Sequence, residues 1–442
     1  MENVGRSGGG FLGWYFKSNM LIRIMIGLIL GVLGGSILGA VLQEDQLARV
    51  LDIINPFGQV FLRLLFMIMV PVIFSTLIVG AASVNPKQLG RIGIRIFLIY
   101  VFTSFIAVST GLIAGVVFRP HVDLSGMVFA EYDGAAAATP PLSTLLLGII
   151  PNNIVTAVAQ PPNLLGIIFF TLCFGSALAL LRESDNPRTK NAAETVFAFF
   201  DGCAEVIIKM VKGIMHYAPI GVFALIANVF ATAGPQVAGG LAMVVVAMVS
   251  GFLAYAIVWY LLVCVKIIGG LSIPRFLMNS KEAFFTGFVT RSSAATMPIT
   301  LECASKLGIP KNVYSFSIPL GTTINMDGTA IYQGVAAMFM AYSVWGHGLD
   351  AGQIGIVLLM GTFATLGAAG VPGAGAIMLL MVLTQLGMPV EAGTAAAAAY
   401  AMILGIDAIL DMFRTSLNVT GDLVYNSMLC RRMGSLEMEK WA

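Results

Sequence analysis

The chain has 442 residues, of which 58% are hydrophobic and only 10% charged, and its mean hydropathy is +0.91. Soluble domains carry about 25% charged residues, so this composition excludes a soluble fold and indicates an integral membrane protein. A net charge of +2 says nothing for a nucleic-acid partner, and five dispersed cysteines with no C-x-x-C pair argue against a disulfide framework or a zinc site.

The amino terminus, MENVGRSGGGFLGWYFKSNM, lacks the charged, apolar and A-x-A regions of a signal peptide. Apolar spans follow near 20–42, 56–83, 92–118, 143–181, 195–230, 236–269, 312–343 and 393–430, each long enough for roughly 30 Å of hydrocarbon. The connections alternate in charge. Loop 43–52 (QEDQLARVLD) is net acidic, and 119–142 holds His121, Asp123, Glu131 and Asp133 against Arg119. Lys87, Arg91 and Arg95 follow the second span, Arg182, Arg188 and Lys190 the fourth, and Arg275 and Lys281 the sixth, while Arg431, Arg432 and Lys440 close the chain. The positive-inside rule places these basic segments, and both termini, in the cytoplasm.

Two further apolar segments, 274–307 and 352–388, do not read as continuous helices. The first contains TRSSAATMPIT (290–300), with Pro298, and the second TLGAAGVPGAG (365–375), with four glycines and Pro372. Glycine costs about 1 kcal/mol and proline about 3 in a helix interior, and broken backbone at membrane depth is tolerated only in protein or beside a wet cavity. Two such interruptions, each next to a polar-laden helix, predict re-entrant hairpins in an inverted repeat; two kinked ordinary spans are the alternative.

Between the hairpins lies GTTINMDGTAIYQG (321–334). Gly, Asn, Asp and Gly inside a span predict local unwinding, which frees carbonyls at Gly321, Thr323 and Asn325 as hard oxygen donors for a cation such as sodium, with Asp327 adding charge. A kinked helix with satisfied backbone is the alternative. In the last span, DAILDMFRTSLNVTGD (407–422) sets Asp407, Asp411, Arg414, Thr415, Asn418 and Asp422 within an arc of about 100°. Ionised groups cost at least about 2.5 kcal/mol each at the bilayer centre, so the stripe faces a protein interior and needs partners. Three carboxylates face one guanidinium, a deficit that ammonium groups or metal cations would fill; a self-neutralising network that only locks helices is the alternative. Arg414 suits bidentate binding of a carboxylate, Asp411 an α-ammonium, and Asp422, two turns beyond Arg414, a sodium ion. Asn418 and Thr415 can orient a carboxylate or amine. An amino acid with a side-chain carboxylate satisfies both Arg414 and Asp411. The hairpin tips offer backbone N–H groups of Ser292 and Ser293, or of the loop Val371, Pro372, Gly373, Ala374 and Gly375 (proline itself having none), as a cap for a substrate carboxylate. The three histidines, His121, His216 and His347, lie near span ends in no Ser–His arrangement, which argues against an intramembrane protease, and no ATP-binding motif is present.

These four motifs, in this order, resemble the dicarboxylate/amino acid:cation symporter family, the glutamate transporter homologues, and look closest to the archaeal sodium-coupled aspartate transporters. The resemblance runs from the first span to Asp422. It implies an all-α multi-pass fold of eight transmembrane helices and two re-entrant hairpins, no enzymatic activity, and a homotrimer in the cell (inner) membrane. It also implies an elevator in which residues 1–90 and 121–235 form a trimerising scaffold, while 91–120 and 236–442 form the transport domain gated by the second hairpin.

The residues carried over by the resemblance are, for substrate, Arg291, Ser293, Thr329, Asp411, Arg414 and Asn418 under the 371–375 gate. One co-transported sodium falls to Gly321, Asn325, Asn418 and Asp422, a second to Thr323, Met326 and Thr365, and a third, matching IYVFTS, to Tyr100, Thr103, Ser104, Asn325 and Asp327. Gln333 stands where potassium-countertransporting members carry glutamate, which argues against potassium exchange. Ala294, Ala368 and Phe413 depart from the family pattern. The resulting expectation is sodium-driven import of an acidic amino acid, L-aspartate foremost. A proton-coupled glutamate/aspartate or C4-dicarboxylate carrier is the rival, and an ion channel the rival from another class.

Overall fold

The structure, a computed structural model, describes residues 20–83, 86–124, 147, 150–159, 164–367, 370, 372–388, 390–391 and 394–441. Among these the regular structure is entirely helical: α1 (Met20–Val41), α2 (Glu44–Ala82), α3 (Pro86–Phe118), α4 (Ile154–Val158), α5 (Leu164–Arg182), α6 (Pro187–Ala233), α7 (Val237–Ala254) running into a π-helix (Tyr255–Ile268), α8 (Ile273–Thr290), α9 (Ser293–Lys306), α10 (Lys311–Ile324), α11 (Asp327–Val344), α12 (Ala351–Gly367), α13 (Ala374–Gln385), α14 (Ala395–Arg432) and a final 3₁₀ turn (Met438–Trp441). Among the described residues six helical stretches are long and apolar enough to cross a membrane by length and composition: α1, α2, the 95–118 part of α3, α6, α7 with its π extension, and α14.

Several expectations change in the structure. Loop 43–52 is not a loop: from Glu44 it forms the opening turns of the 39-residue α2, with Glu44 and Asp45 at the positive end of the helix dipole. The expected span 143–181 is interrupted among the described residues: 150–153, with Pro151, are not helical, the short α4 follows, capped by Asn153 Oδ1 accepting from Val155 N at 2.8 Å, and the chain is next described as α5. α6 runs well past its predicted start, over 47 residues from an Asn186 cap and Pro187 to Gly234. The acidic positions Glu131 and Asp133 lie outside the described residues.

Both awkward segments form helical hairpins. α8 and α9 pack together around a two-residue turn in which Arg291 adopts φ 54°, a left-handed conformation rare for a side chain. Ser292 caps α9, its Oγ accepting from Ala295 N at 3.2 Å. α12 and α13 form the second hairpin, with Gly373 at φ 83° opening α13. The expected break in 312–343 is present: α10 ends at Ile324 and α11 starts at Asp327, leaving Asn325 and Met326 unwound.

Packing sorts the helices into two groups. α6 lies along α1 and α2, and α5 packs on α2 and α6. The α1–α6 seam is built on Gly27, Gly31, Gly35 and Gly39, one face at four-residue spacing, lying against the backbone of Pro219, Phe223, Ala227 and Ala231. The second group gathers α3, α7 and its π extension, both hairpins, α10 and α11 around α14, and α11 is buried over nearly its whole length. At its outer end the chain folds back on the first hairpin. Trp441 Nε1 donates to the Leu307 carbonyl at 2.7 Å and Lys306 pairs with Glu282 at 2.6 Å. All five cysteines are free.

Candidate functional site

The four motifs converge in the second group. The hairpin tips touch: Ser292 Oγ donates to the Gly370 carbonyl at 2.7 Å and Ala294 N to the same oxygen at 3.3 Å. Gly370 also lies against the Thr322 carbonyl, just before the break between α10 and α11. Half-helix ends, with their directed dipoles, therefore meet at one place.

Beside them, α14 carries Arg414, only 2% exposed. Its Nη2 and Nε donate to Asp411 Oδ1 at 2.6 and 3.2 Å, and its Nη1 to Asp407 Oδ1 at 3.1 Å. The guanidinium carbon stands 4.6 Å from the centre of the Tyr332 ring. It is also pressed against Gly375, where any Cβ would collide with it. Arg291 of the first tip and Gly373 of the second line one small cavity with Asp407 and Asp411, closed on its other side by Ile24, Phe61 and Met215. Asp411 Oδ2 is buried without a hydrogen-bond partner. On the next turns Asn418 Oδ1 accepts from Gly328 N at 2.8 Å, and its Nδ2 lies 3.4 Å from Thr329 Oγ1. Thr415 is buried, its backbone against Gly287 of the first hairpin. Ser293 packs on Gly370, while Pro372, Gly373 and Ala374 continue the second tip. Val371 lies outside the described residues, as does Ala368.

A second centre lies farther along α14, and among the described residues its hydrogen-bond partners include no cationic side chain. Asp422 Oδ1 accepts from Asn325 Nδ2 at 2.9 Å and abuts Gly321, which leaves no room for a Cβ. Tyr100, from α3, lies against the same glycine and accepts from Asn426 Nδ2 at 3.1 Å. Asp327 is fully buried and takes hydrogen bonds on Oδ2 from Tyr425 and Tyr260, at 2.6 and 2.8 Å. Asp327 Oδ1 and Asn325 Oδ1 are buried and unpartnered. Thr103 and Ser104 are buried beside them on α3, with Thr365 Oγ1 donating to Ser104 Oγ at 3.1 Å. Thr365 therefore connects the second hairpin to the Tyr100–Ser104 group. Thr323 faces Gly80 of α2, and Met326 Sδ lies 3.8 Å from Thr329 Oγ1.

The stripe of α14 thus divides in two. Asp407 and Asp411 serve Arg414, while Asp422 belongs to an oxygen-rich cluster of carboxylates, amides and hydroxyls. Asp407 stood in the stripe without an assigned role, and the structure makes it a direct Arg414 partner. Tyr332, Tyr255, Tyr260, Tyr425 and Asn426 had no role either. Asn426, one turn beyond Asp422, was open to reading from helical spacing; the tyrosines were not, because an aromatic residue in an apolar span signals core.

A model of the sodium:dicarboxylate symporter family matches residues 20–431. The chain belongs to this family. Within it, the chain is 33% identical to the proton/glutamate-aspartate symporter of Escherichia coli over 92% of its length and 91% of the relative's. It is 32% identical to the proton/sodium-glutamate symport protein of Bacillus caldotenax, covering 96% and 97% of the two chains, and 30% identical to an excitatory amino acid transporter of Caenorhabditis elegans, covering 93% and 87%. These symporter-family relatives are transporters and not enzymes, in agreement with the expectation from the motifs. The family's helical membrane architecture agrees with the apolar helices described above.

Proposed function

We propose that this symporter imports an acidic amino acid, L-aspartate foremost, down a sodium gradient. The observation that carries the reading is the juxtaposition of the two centres. One offers a buried guanidinium and a carboxylate oxygen, Asp411 Oδ2, without a partner. The other holds two buried carboxylates, Asp327 and Asp422, whose hydrogen-bond donors are all neutral. A buried anion without a counter-charge is strongly disfavoured, so the second centre calls for cations, and its carboxylate, amide and hydroxyl oxygens suit a hard one. Sodium is the co-transported cargo in this reading. Asp422 with the Gly321, Asn325 and Asn418 carbonyls holds one ion; Asp327, Asn325, Tyr100, Thr103 and Ser104 hold another; Thr323, Met326 and Thr365 hold a third beneath the second hairpin.

Arg414 binds the substrate's side-chain carboxylate and Asp411 its α-ammonium. Thr329, Thr415 and Asn418 orient the main-chain groups, Arg291, Ser292 and Ser293 bound the site from the first tip, and Val371–Gly375 closes it. A substrate carboxylate competes with Asp407 and Asp411 for the guanidinium, so arrival of substrate and release of the Asp411 carboxylate toward the ammonium are one exchange.

In the same reading the chain has eight crossings and two re-entrant hairpins in an inverted repeat. It sits in the cell (inner) membrane with cytoplasmic termini and works as an elevator within a homotrimer, the scaffold being 1–90 with 121–235 and the moving domain 91–120 with 236–442. The packing of α1, α2, α5 and α6 chiefly on one another, with α6 also lying against α14, supports that division.

Proton coupling is the second reading, favoured by the name of the Escherichia coli relative. Uptake of radiolabelled L-aspartate into proteoliposomes decides between them. Accumulation under a sodium gradient, with none when choline replaces sodium, is the expected result. Accumulation under a proton gradient without sodium gives the carboxylates to protons, and entry of succinate alone removes the role of Asp411.

A further inference from the structure

The span ending at 269 changes its winding halfway, and the change falls beside the oxygen-rich centre. From Tyr255 to Ile268 it is a π-helix, whose bonds join residues five apart. Of its buried residues, Tyr255, Tyr260 and Val265 repeat at that spacing. In an α-helix positions five apart diverge by about 140°, and Tyr255 and Tyr260 would face different neighbours. Here their rings meet edge to face at 5.1 Å, and both hydroxyls reach the same cluster.

Tyr260 donates to Asp327 Oδ2 at 2.8 Å, its hydroxyl admitted by Gly421, where a Cβ would overlap it. Tyr425, from α14, donates to the same oxygen at 2.6 Å. Tyr255 lies 3.1 Å from the Tyr425 hydroxyl and donates to the Thr103 carbonyl at 3.0 Å, tying the cluster to the helix that carries Tyr100 and Ser104. Two phenols thus converge on one carboxylate oxygen, while the other, Oδ1, is buried with no donor. A carboxylate held this way cannot rotate without breaking two charge-assisted hydrogen bonds.

We propose that Tyr260 and Tyr425 are positioning residues for the cation held at Asp327: by occupying Oδ2 they dedicate Oδ1 to the ion, and the π-helix exists at this point to deliver Tyr260. The proposal rests on the sodium reading of Asp327 given above. Neither phenol touches the ion; each sets the orientation of the carboxylate that does.

The test is sodium-dependent aspartate uptake by the full-length protein in proteoliposomes, comparing wild type with Tyr260→Phe and Tyr425→Phe, which keep the rings. Each variant raises the sodium concentration for half-maximal uptake, on the order of tenfold for one lost hydrogen bond to a charged group. Uptake at saturating sodium is retained, and discrimination between sodium and lithium falls because the freed carboxylate adapts to the smaller ion. Tyr342→Phe, at the far end of α11, leaves all three quantities unchanged. Unchanged sodium half-saturation in either folded variant, with or without a lower maximal rate, overturns the proposal. Since both phenols act on one oxygen, either variant alone decides. Failure of the underlying reading shows separately, as wild-type uptake that ignores sodium.

Discussion

Arg414 is held on every side: by Asp411 and Asp407, by the face of Tyr332, and by the backbone of Gly375. A long side chain so confined loses its rotational freedom at folding and not at binding, which favours ligand capture. The pattern of α14 was legible here because about 100° per residue brings 407, 411 and 414 onto one face. What spacing left open was whether the carboxylates would pair with the arginine or with a ligand, and the structure shows Asp411 doing the first with one oxygen while leaving the second free. Breaking a buried ion pair costs about 3–5 kcal/mol, so Arg414→Cys should weaken aspartate binding by more than about a hundredfold. Relative preference should shift to neutral amino acids. Competition of labelled aspartate uptake by unlabelled acidic and neutral amino acids checks it, with the melting temperature recorded alongside. Aspartate binding as tight as wild type would refute the assignment of the guanidinium.

At the scale of elements, two contacts stand out for what they leave no room for. Along the α1–α6 seam four glycines admit the backbone of the neighbouring helix, and a Cβ on Gly35 would overlap the Ala227 carbonyl. Overpacking of this kind costs typically 1–3 kcal/mol by order of magnitude, about the range seen in soluble cores. Gly35→Ala should lower the melting temperature in detergent by several degrees, whereas Gly202→Ala, with nothing within 4 Å of its Cβ, should not. Equal melting temperatures for the two would show that the seam relaxes. The hairpin tips share a different economy: Ser292 Oγ accepts from Ala295 N–H and donates to the Gly370 carbonyl, capping its own helix and fastening the opposite tip. Ser292→Ala removes both, a loss of about 1 kcal/mol for the inter-hairpin bond. Hydrogen exchange of amides in the first turn of α13 should speed up about fivefold. Exchange at the wild-type rate would mean that the Ala294 N–H alone holds Gly370.

For the whole molecule, two helix groups lie side by side, with α14, α12 and α13 of one facing α1, α2, α5 and α6 of the other. Met215 of α6 rests against Gly373 at the second tip, so the small cavity at Asp411 has walls from both groups. Relative movement of the groups would alter access to Arg414, which is the physical content of the proposed elevator. The proposed homotrimer predicts a native mass of three chains of 46.7 kDa after detergent is stripped in a mass spectrometer; a monomer peak alone at working concentration would remove the trimer.

The sequence by itself determined that the chain lives in a membrane, that two segments fold back as hairpins, that the stretch around Asn325 unwinds, and which residues of α14 share a polar face. Those are local matters: apolar run length, glycine and proline in helices, and a fixed angular period per residue. Only the tertiary structure decided which partner each polar group takes. The lengthening of α2 into QEDQLARVLD and the break around α4 turn on caps, prolines and packing that hydropathy averages away. The split of the stripe into an arginine centre and an oxygen centre depends on α3, α11 and the tips arriving from positions up to hundreds of residues away in the chain. Tyr260 is the extreme case. Its role requires a π-helix, whose five-residue spacing is invisible to a reading that assumes α-helical faces, and a glycine on a different helix that makes room for its hydroxyl.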